Sequence, residues 1–183
     1  MDIGLSLGSN LGDRMATLRE AAGRIARIPG IRIRAAAPVY ETEPVDTKPE
    51  YANLKYLNTV LIVETRTEIT LTKLARNLHG IEDQLGRIRQ EDRNAPRTLD
   101  IDILFAGSIM QSDDILDLPH PRWAARRFVV QPLADVCPHL VLPGESRSVS
   151  TILAALPPGG IVKVFDHDWL PQNLINGGSV HAV

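Results

Sequence analysis

At 183 residues the chain has the length of one domain with a sizeable buried core. Its 44% hydrophobic and 23% charged residues are ordinary for a globular protein, and a net charge of −2 argues against wholesale binding of nucleic acid. A lone cysteine, Cys137, excludes an internal disulfide or a cysteine-based zinc site and reads as a small buried hydrophobe; with no apolar run near ~20 residues and no basic lead-in to "MDIGLSLGSN", the expectation is a cytoplasmic protein.

"IGLSLGS" reads as a first strand ending near Gly8, and "SNLGD" offers Ser9, Asn10 and Asp13 as helix caps. Met15, Leu18, Ala22 and Ile25 follow at helical spacing until Pro29-Gly30 stops the helix. "IRIRAAAPVYET" alternates and predicts one further strand. Residues 43–55 carry Pro44 and Pro49 without periodicity, a loop long enough to have a task. "YLNTVLIVET" is a β-branched strand, and Leu71, Leu74, Leu78, Ile81 and Leu85 mark a helix closed by Gly86. "RIRQEDRNAPR" is a polar loop and "TLDIDILFAG" a strand. "LPHPRWAARRFVVQPLADV" predicts a proline turn and then a helix, "SVSTILAAL" a short helix and "GIVKVF" an edge strand.

The order β-α-β-β-α-β predicts an α+β, ferredoxin-like core: an antiparallel sheet with helices packed on one face, plus the extra short C-terminal helix and strand. The other face is expected to be open to a ligand. One domain spans 1–166, and 167–183 form a tail, loosely held from Pro171.

Function is written most densely in "RNAPRTLDIDIL", residues 93–104. Strand alternation puts Leu99, Ile101, Ile103 and Phe105 on the core side and Asp100 and Asp102 together on the other, with Cα atoms roughly 6.5–7 Å apart. Two ionised carboxylates so placed repel, and without a cation at least one should have a raised pKa. Mg²⁺ relieves this, taking one or two carboxylates along with water and nucleotide phosphate oxygens. The competing reading is a solvated acidic face paired with nearby arginines. Those arginines are clustered: Arg87, Arg89, Arg93 and Arg97 in one stretch, Arg122, Arg126 and Arg127 in another. Planar guanidinium forks match phosphate oxygens, and phosphoryl transfer asks mainly for positioning and spread positive charge. The combination favours a metal-assisted polyphosphate site.

Asn58 is a polar side chain in the otherwise apolar row Tyr56, Val60, Ile62; it either ties down a loop or reads the edge of a flat heterocycle. Phe128 either packs in the core or stacks on such a ring. His120, between prolines, either holds a turn or donates to a phosphate oxygen; with no second histidine at metal spacing, zinc is excluded. No P-loop or nucleophile elbow is present. A metal-dependent nucleotide hydrolase and a ferredoxin-like RNA-binding module compete with transfer, although 4% aromatic residues and carboxylates on the open face suit RNA poorly.

These residues resemble the signature of the 6-hydroxymethyl-7,8-dihydropterin pyrophosphokinase family of folate biosynthesis, through "LGSNLGD", "VYETEPV", "YLNTVLIVET", "GRIRQEDRNAPRTLDIDIL" and "LPHPRWAARRFVVQPL". The resemblance implies transfer of pyrophosphate from ATP to the pterin hydroxymethyl, releasing AMP, with ATP and the pterin as small-molecule partners and a monomeric enzyme. It implies two Mg²⁺ ions on Asp100 and Asp102, mobile-loop arginines Arg87 and Arg89, triphosphate contacts from Arg97 and Arg126, and nucleotide contacts from His120 and Glu82. The pterin side takes Thr42, Glu43 and Val45, the amide of Asn58, and Tyr56 and Phe128 around the ring. Asn94 stands where better-known members carry Trp, so pocket closure falls to another group, Arg93 or Trp123 being the candidates. Pro121 and Ala124 also depart from residues found in some members.

Overall fold

A computed structural model describes residues 1–45, 47–65, 69–88 and 95–175. Strand β1 (Asp2–Ser9) buries Ile3, Leu5 and Leu7 completely on one face and presents Gly4, Ser6 and Gly8 on the other. Asp13 caps helix α1 (Arg14–Ala26), its carboxylate accepting from the Ala16 amide at 3.0 Å. The expected single strand after it is two, β2 (Ile31–Ala36) and β3 (Val39–Thr42). The break falls at Ala37-Pro38, because Pro38 has no amide for a ladder. Polar groups at the break are still satisfied: the Ala37 carbonyl accepts from the Thr59 hydroxyl at 2.9 Å and from the Trp169 indole at 2.8 Å.

Both segments pair with β4 (Tyr56–Thr65). Thr70 caps α2 (Leu71–Gln84), and Gly86, at φ 84°, takes the left-handed turn that lets the chain leave the helix for β5 (Asp100–Ala106). A small hairpin, β6 (Gln111–Ser112) with β7 (Asp117–Leu118), precedes α3 (Arg127–Val136), α4 (Val149–Ala155) and β8 (Ile161–Asp166). The main sheet runs β5-β1-β4-β3-β8, with β2 also on β4, and every pairing in it is antiparallel. Its central part is the expected ferredoxin-like core.

Helices α1 and α2 cover one face, where Leu18, Ala22, Ile25, Leu74 and Leu78 meet Leu5, Leu7, Leu57, Leu61 and Ile103. The opposite face is only half open. Helices α3 and α4 roof its far half, packing Val129, Val130, Leu133 and Ile152 against Val60, Ile62 and Leu104. Phe105 joins this second core rather than the first, because the β1/β5 register shifts between Gly4 and Leu5 and turns the strand over. A Cβ at Gly4 would run into the Phe105 ring, so the glycine makes room for it. Trp123 is also buried here, at 4% exposure, which removes it as a closing group for any pocket.

Past β8 the chain packs Trp169, 2% exposed, and Leu170 into the first core, and Ile175 bridges to Ile33. Truncating a buried Trp costs about 3–5 kcal/mol, so residues 167–175 contribute to stability.

Helix α3 is tied to β3 by Tyr40, whose hydroxyl donates to Asp135 at 2.7 Å. Burial and then the Asp135 carboxylate push the Tyr40 phenol up to about 12. Because that value lies above the phenol's ordinary one, the stabilisation is complete below pH ~10 and is lost as pH rises toward the folded-state value. Denaturant midpoints of the wild type and Tyr40→Phe should therefore differ at pH 8 and converge above pH ~11; a gap that is constant with pH would refute the assignment.

Candidate active site

The open half of the second face forms a cavity of about 400 Å³. Its floor follows from strand register. Gly8 of β1 faces Asp100 of β5 on one side and Asn58 of β4 on the other, while Ser6 faces Asp102 and Val60. Asp100 and Asn58 are thus two strand spacings apart, about 9.5 Å, with a residue between them that has no side chain. A Cβ on Gly8 would sit 2.8 Å from Asn58 Oδ1. Gly8→Ala is expected to displace the Asn58 amide and weaken binding of whatever it reads by about tenfold, the effect of ~1.4 kcal/mol; a calorimetric titration of the pterin checks it.

Asp100 is clasped, Oδ1 by Arg87 Nη1 at 2.6 Å and Oδ2 by Arg97 Nη1 at 3.2 Å. Asp102 has no such clasp among the described residues: its side chain is 41% exposed to the cavity, and the imidazole facing it is that of His120, Nε2 at 3.9 Å from Oδ2. The surrounding protein, and then the charge of Asp100, push the Asp102 carboxyl above its usual range, against the pull of His120, Arg126 and Arg87. The paired acids are therefore partly neutralised by arginine at one member and strained by charge at the other. Among the described residues no three His, Cys, Asp or Glu side chains converge as a metal cage. Two carboxylates facing a cavity suit a hard cation that brings its remaining ligands with a nucleotide, so the donor set fits Mg²⁺.

Around the acids stands a cationic wall. Arg87, Arg97, Arg122, Arg126 and His120 all line the cavity. His120 Nδ1 accepts from the Arg122 amide at 3.1 Å, which leaves Nε2–H as the donor facing inward. Burial, then the nearby arginines, lower the His120 pKa against the raising effect of Asp102, so the ring there is a neutral donor at physiological pH. The Arg126 guanidinium lies 5.5 Å from the Phe128 ring centroid, a cation–π contact that orients both.

The other end of the cavity is amphipathic. Asn58, 5% exposed, donates from Nδ2 to the Thr42 hydroxyl at 2.7 Å, and Tyr56, Phe128, Glu43 and Val45 complete the walls. The Asn58 amide ties down β3 through Thr42 and lines the cavity. Burial raises the Tyr56 phenol, with Arg97 opposing and Asp100 adding, which places Tyr56 between the two ends.

One expected residue stands elsewhere. Glu82 is completely buried and does not line the cavity. Its carboxylate accepts from the Ile101 amide at 2.7 Å and pairs with Arg87. Position 101 lies between the two acids, so Glu82 supports the strand that carries them. Arg89 lies outside the described residues, as do Arg93 and Asn94. Arg127 turns away, donating to the carbonyls of Leu156 and Pro157. The lining also includes Ser6, Gly8, Thr47, Ile88, Ala95 and Arg122, which carried no assigned role. Ser6 and Gly8 were findable, because "GLSLG" alternates small with large and its small face must lie under something.

The family model described as 7,8-dihydro-6-hydroxymethylpterin-pyrophosphokinase (HPPK) matches residues 4–138. This chain belongs to the HPPK family. A 2-amino-4-hydroxy-6-hydroxymethyldihydropteridine pyrophosphokinase of Methylorubrum extorquens is 41% identical over 161 residues, 87% of this chain and 96% of that protein. A protein of the same name from Bacillus subtilis is 36% identical over 133 residues, 73% of this chain and 76% of its own. A Plasmodium falciparum HPPK-DHPS crystal structure superposes with a TM-score of 0.62 at 16% identity, over 84% of this chain and 44% of that one, which speaks for the HPPK fold. The match ends at residue 138, so α4, β8 and the Trp169 anchor lie beyond the part of the chain that the HPPK family model covers.

Proposed function

We propose that this chain transfers the β,γ-pyrophosphoryl group of ATP to the hydroxymethyl oxygen of 6-hydroxymethyl-7,8-dihydropterin, giving the pterin diphosphate and AMP, as a monomeric cytoplasmic enzyme using two Mg²⁺ ions. The observation that carries it is the shared floor: a charge-strained acid pair and a heterocycle-reading amide, separated by one glycine, in a single cavity.

The pterin is held edge-on by the Asn58 amide and flanked by Tyr56 and Phe128, so its hydroxymethyl points along the floor toward Asp100 and Asp102. Asp100 and Asp102 would hold Mg²⁺, which screens the triphosphate and supports charge at the transferring phosphorus. Arg97 and Arg126 grip the polyphosphate, Arg87 exchanges Asp100 for phosphate oxygens as the nucleotide arrives, and His120 donates from Nε2. The pterin oxygen forms its bond to the β-phosphorus, the bridge between that phosphorus and the α-phosphate oxygen breaks, AMP leaves, and the hydroxyl proton is released to solvent. Arg89, by its place in the arginine stretch, adds positive charge during transfer.

Product analysis tests this. Incubating the protein with ATP, Mg²⁺ and the pterin should yield AMP and pterin diphosphate in equal amounts. Release of AMP or ADP at the same rate without pterin would mean that water is the acceptor and the protein a hydrolase.

A further inference from the structure

Within the motif "GSN" at the end of β1, Gly8 floors the cavity, whereas Asn10 does not line it and has no role in the chemistry above. Helix α1 is capped by Asp13, so Asn10 is free for another task. It is 5% exposed and meets one residue, 87 positions away in sequence, through both backbone and side chain. The Arg97 amide donates to Asn10 Oδ1 at 2.7 Å, and the Asn10 amide donates to the Arg97 carbonyl at 3.2 Å. An Asn side chain here replaces a peptide carbonyl and closes a two-point clamp on a loop residue that has no strand partner.

The clamp matters because of what Arg97 does. Its Nε donates to the Ala95 carbonyl at 3.2 Å and its Nη1 to Asp100 Oδ2 at 3.2 Å. An arginine side chain has much rotamer freedom to lose, and it aims reliably only if its own Cα is fixed. Strand β5 begins at Asp100, three residues later, so ladder hydrogen bonds do not hold position 97. We propose that Asn10 is a positioning residue for Arg97: it pins the Arg97 backbone to the end of β1, so that the guanidinium projects over Asp100 toward the polyphosphate. This rests on Arg97 gripping the nucleotide.

The test uses the full chain, steady-state kinetics with ATP varied, and amide hydrogen exchange at Arg97. Asn10→Leu keeps the volume and removes the acceptor; kcat/KM for ATP is expected to fall about tenfold or more, with faster exchange at the Arg97 amide. Asn10→Asp keeps the acceptor oxygen and should stay within about threefold of wild type, with that amide still protected. In an Arg97→Ala background, Asn10→Leu should cost no more than about twofold, because the two act through one guanidinium. Should Asn10→Leu not fold, Asn10→Ser, too short to span the gap, carries the same expectations. Wild-type kcat/KM in the Leu or Ser variant overturns the proposal, and so does a penalty that adds in full to that of Arg97→Ala. Wild-type kinetics in Arg97→Ala alone would instead remove the nucleotide-grip reading, and this proposal with it, while leaving the clamp itself visible by exchange.

Discussion

Asp102→Asn is expected to lose turnover by about 10³-fold or more while the protein becomes no less stable. Removing the carboxylate that would complete the proposed metal ledge forfeits several kcal/mol of charge stabilisation in the transferring state. The empty protein gives up little, because Asp102 has no guanidinium clasp among the described residues and its carboxyl is pushed above its usual range by burial and then by the charge of Asp100. Asp100→Asn should lose comparable activity for a different reason and with a different signature. It also removes one carboxylate partner from each of Arg87 and Arg97, which loosens their aim. Pterin-dependent AMP release and thermal unfolding, measured on both variants, separate these effects. An Asp102→Asn enzyme that retains turnover would leave the acid pair as ordinary surface chemistry, and a large fall in its melting temperature would contradict the description of a charge-strained carboxylate that no guanidinium clasps.

Glu82→Ala is expected to destabilise the fold by about 2–4 kcal/mol, and to do so without changing nucleotide affinity in the protein that remains folded. The substitution leaves the Ile101 amide without an acceptor in the core and removes one of the two carboxylates that hold Arg87. Glu82→Gln, which preserves an acceptor for the amide, should recover much of the loss. Chemical denaturation, with nucleotide titration well below the midpoint, reads both quantities. A variant of full stability with weakened ATP binding would restore Glu82 to the role of nucleotide contact that the family resemblance implies.

Much of the site was legible because it is written on strands. A period of two residues is enough to put Asp100 beside Asp102, and Tyr56 in line with Asn58, whatever the rest of the molecule does. Thr42, Glu43 and Val45 were placed through the resemblance, and they line the cavity with Phe128, His120 and Arg126. The strand support that Glu82 gives was not foreseen, because helical periodicity shows only that a residue faces inward. It does not show whether a buried carboxylate meets a ligand or a strand amide. The unity of "IRIRAAAPVYET" was overstated because alternation continues across Pro38, although the ladder does not.

The sequence by itself determined the main helices and strands and the chemistry of the acid-bearing strand, which depend on residues within a few positions of one another. Only the tertiary structure decided that helices α3 and α4 close half of the second face, and that a register shift turns Phe105 to their side. It also decided that Asn10 meets Arg97 across 87 residues. These outcomes depend on which distant segments share a surface, and on the packing and hydrogen-bond satisfaction available there, for which local periodicity carries no record.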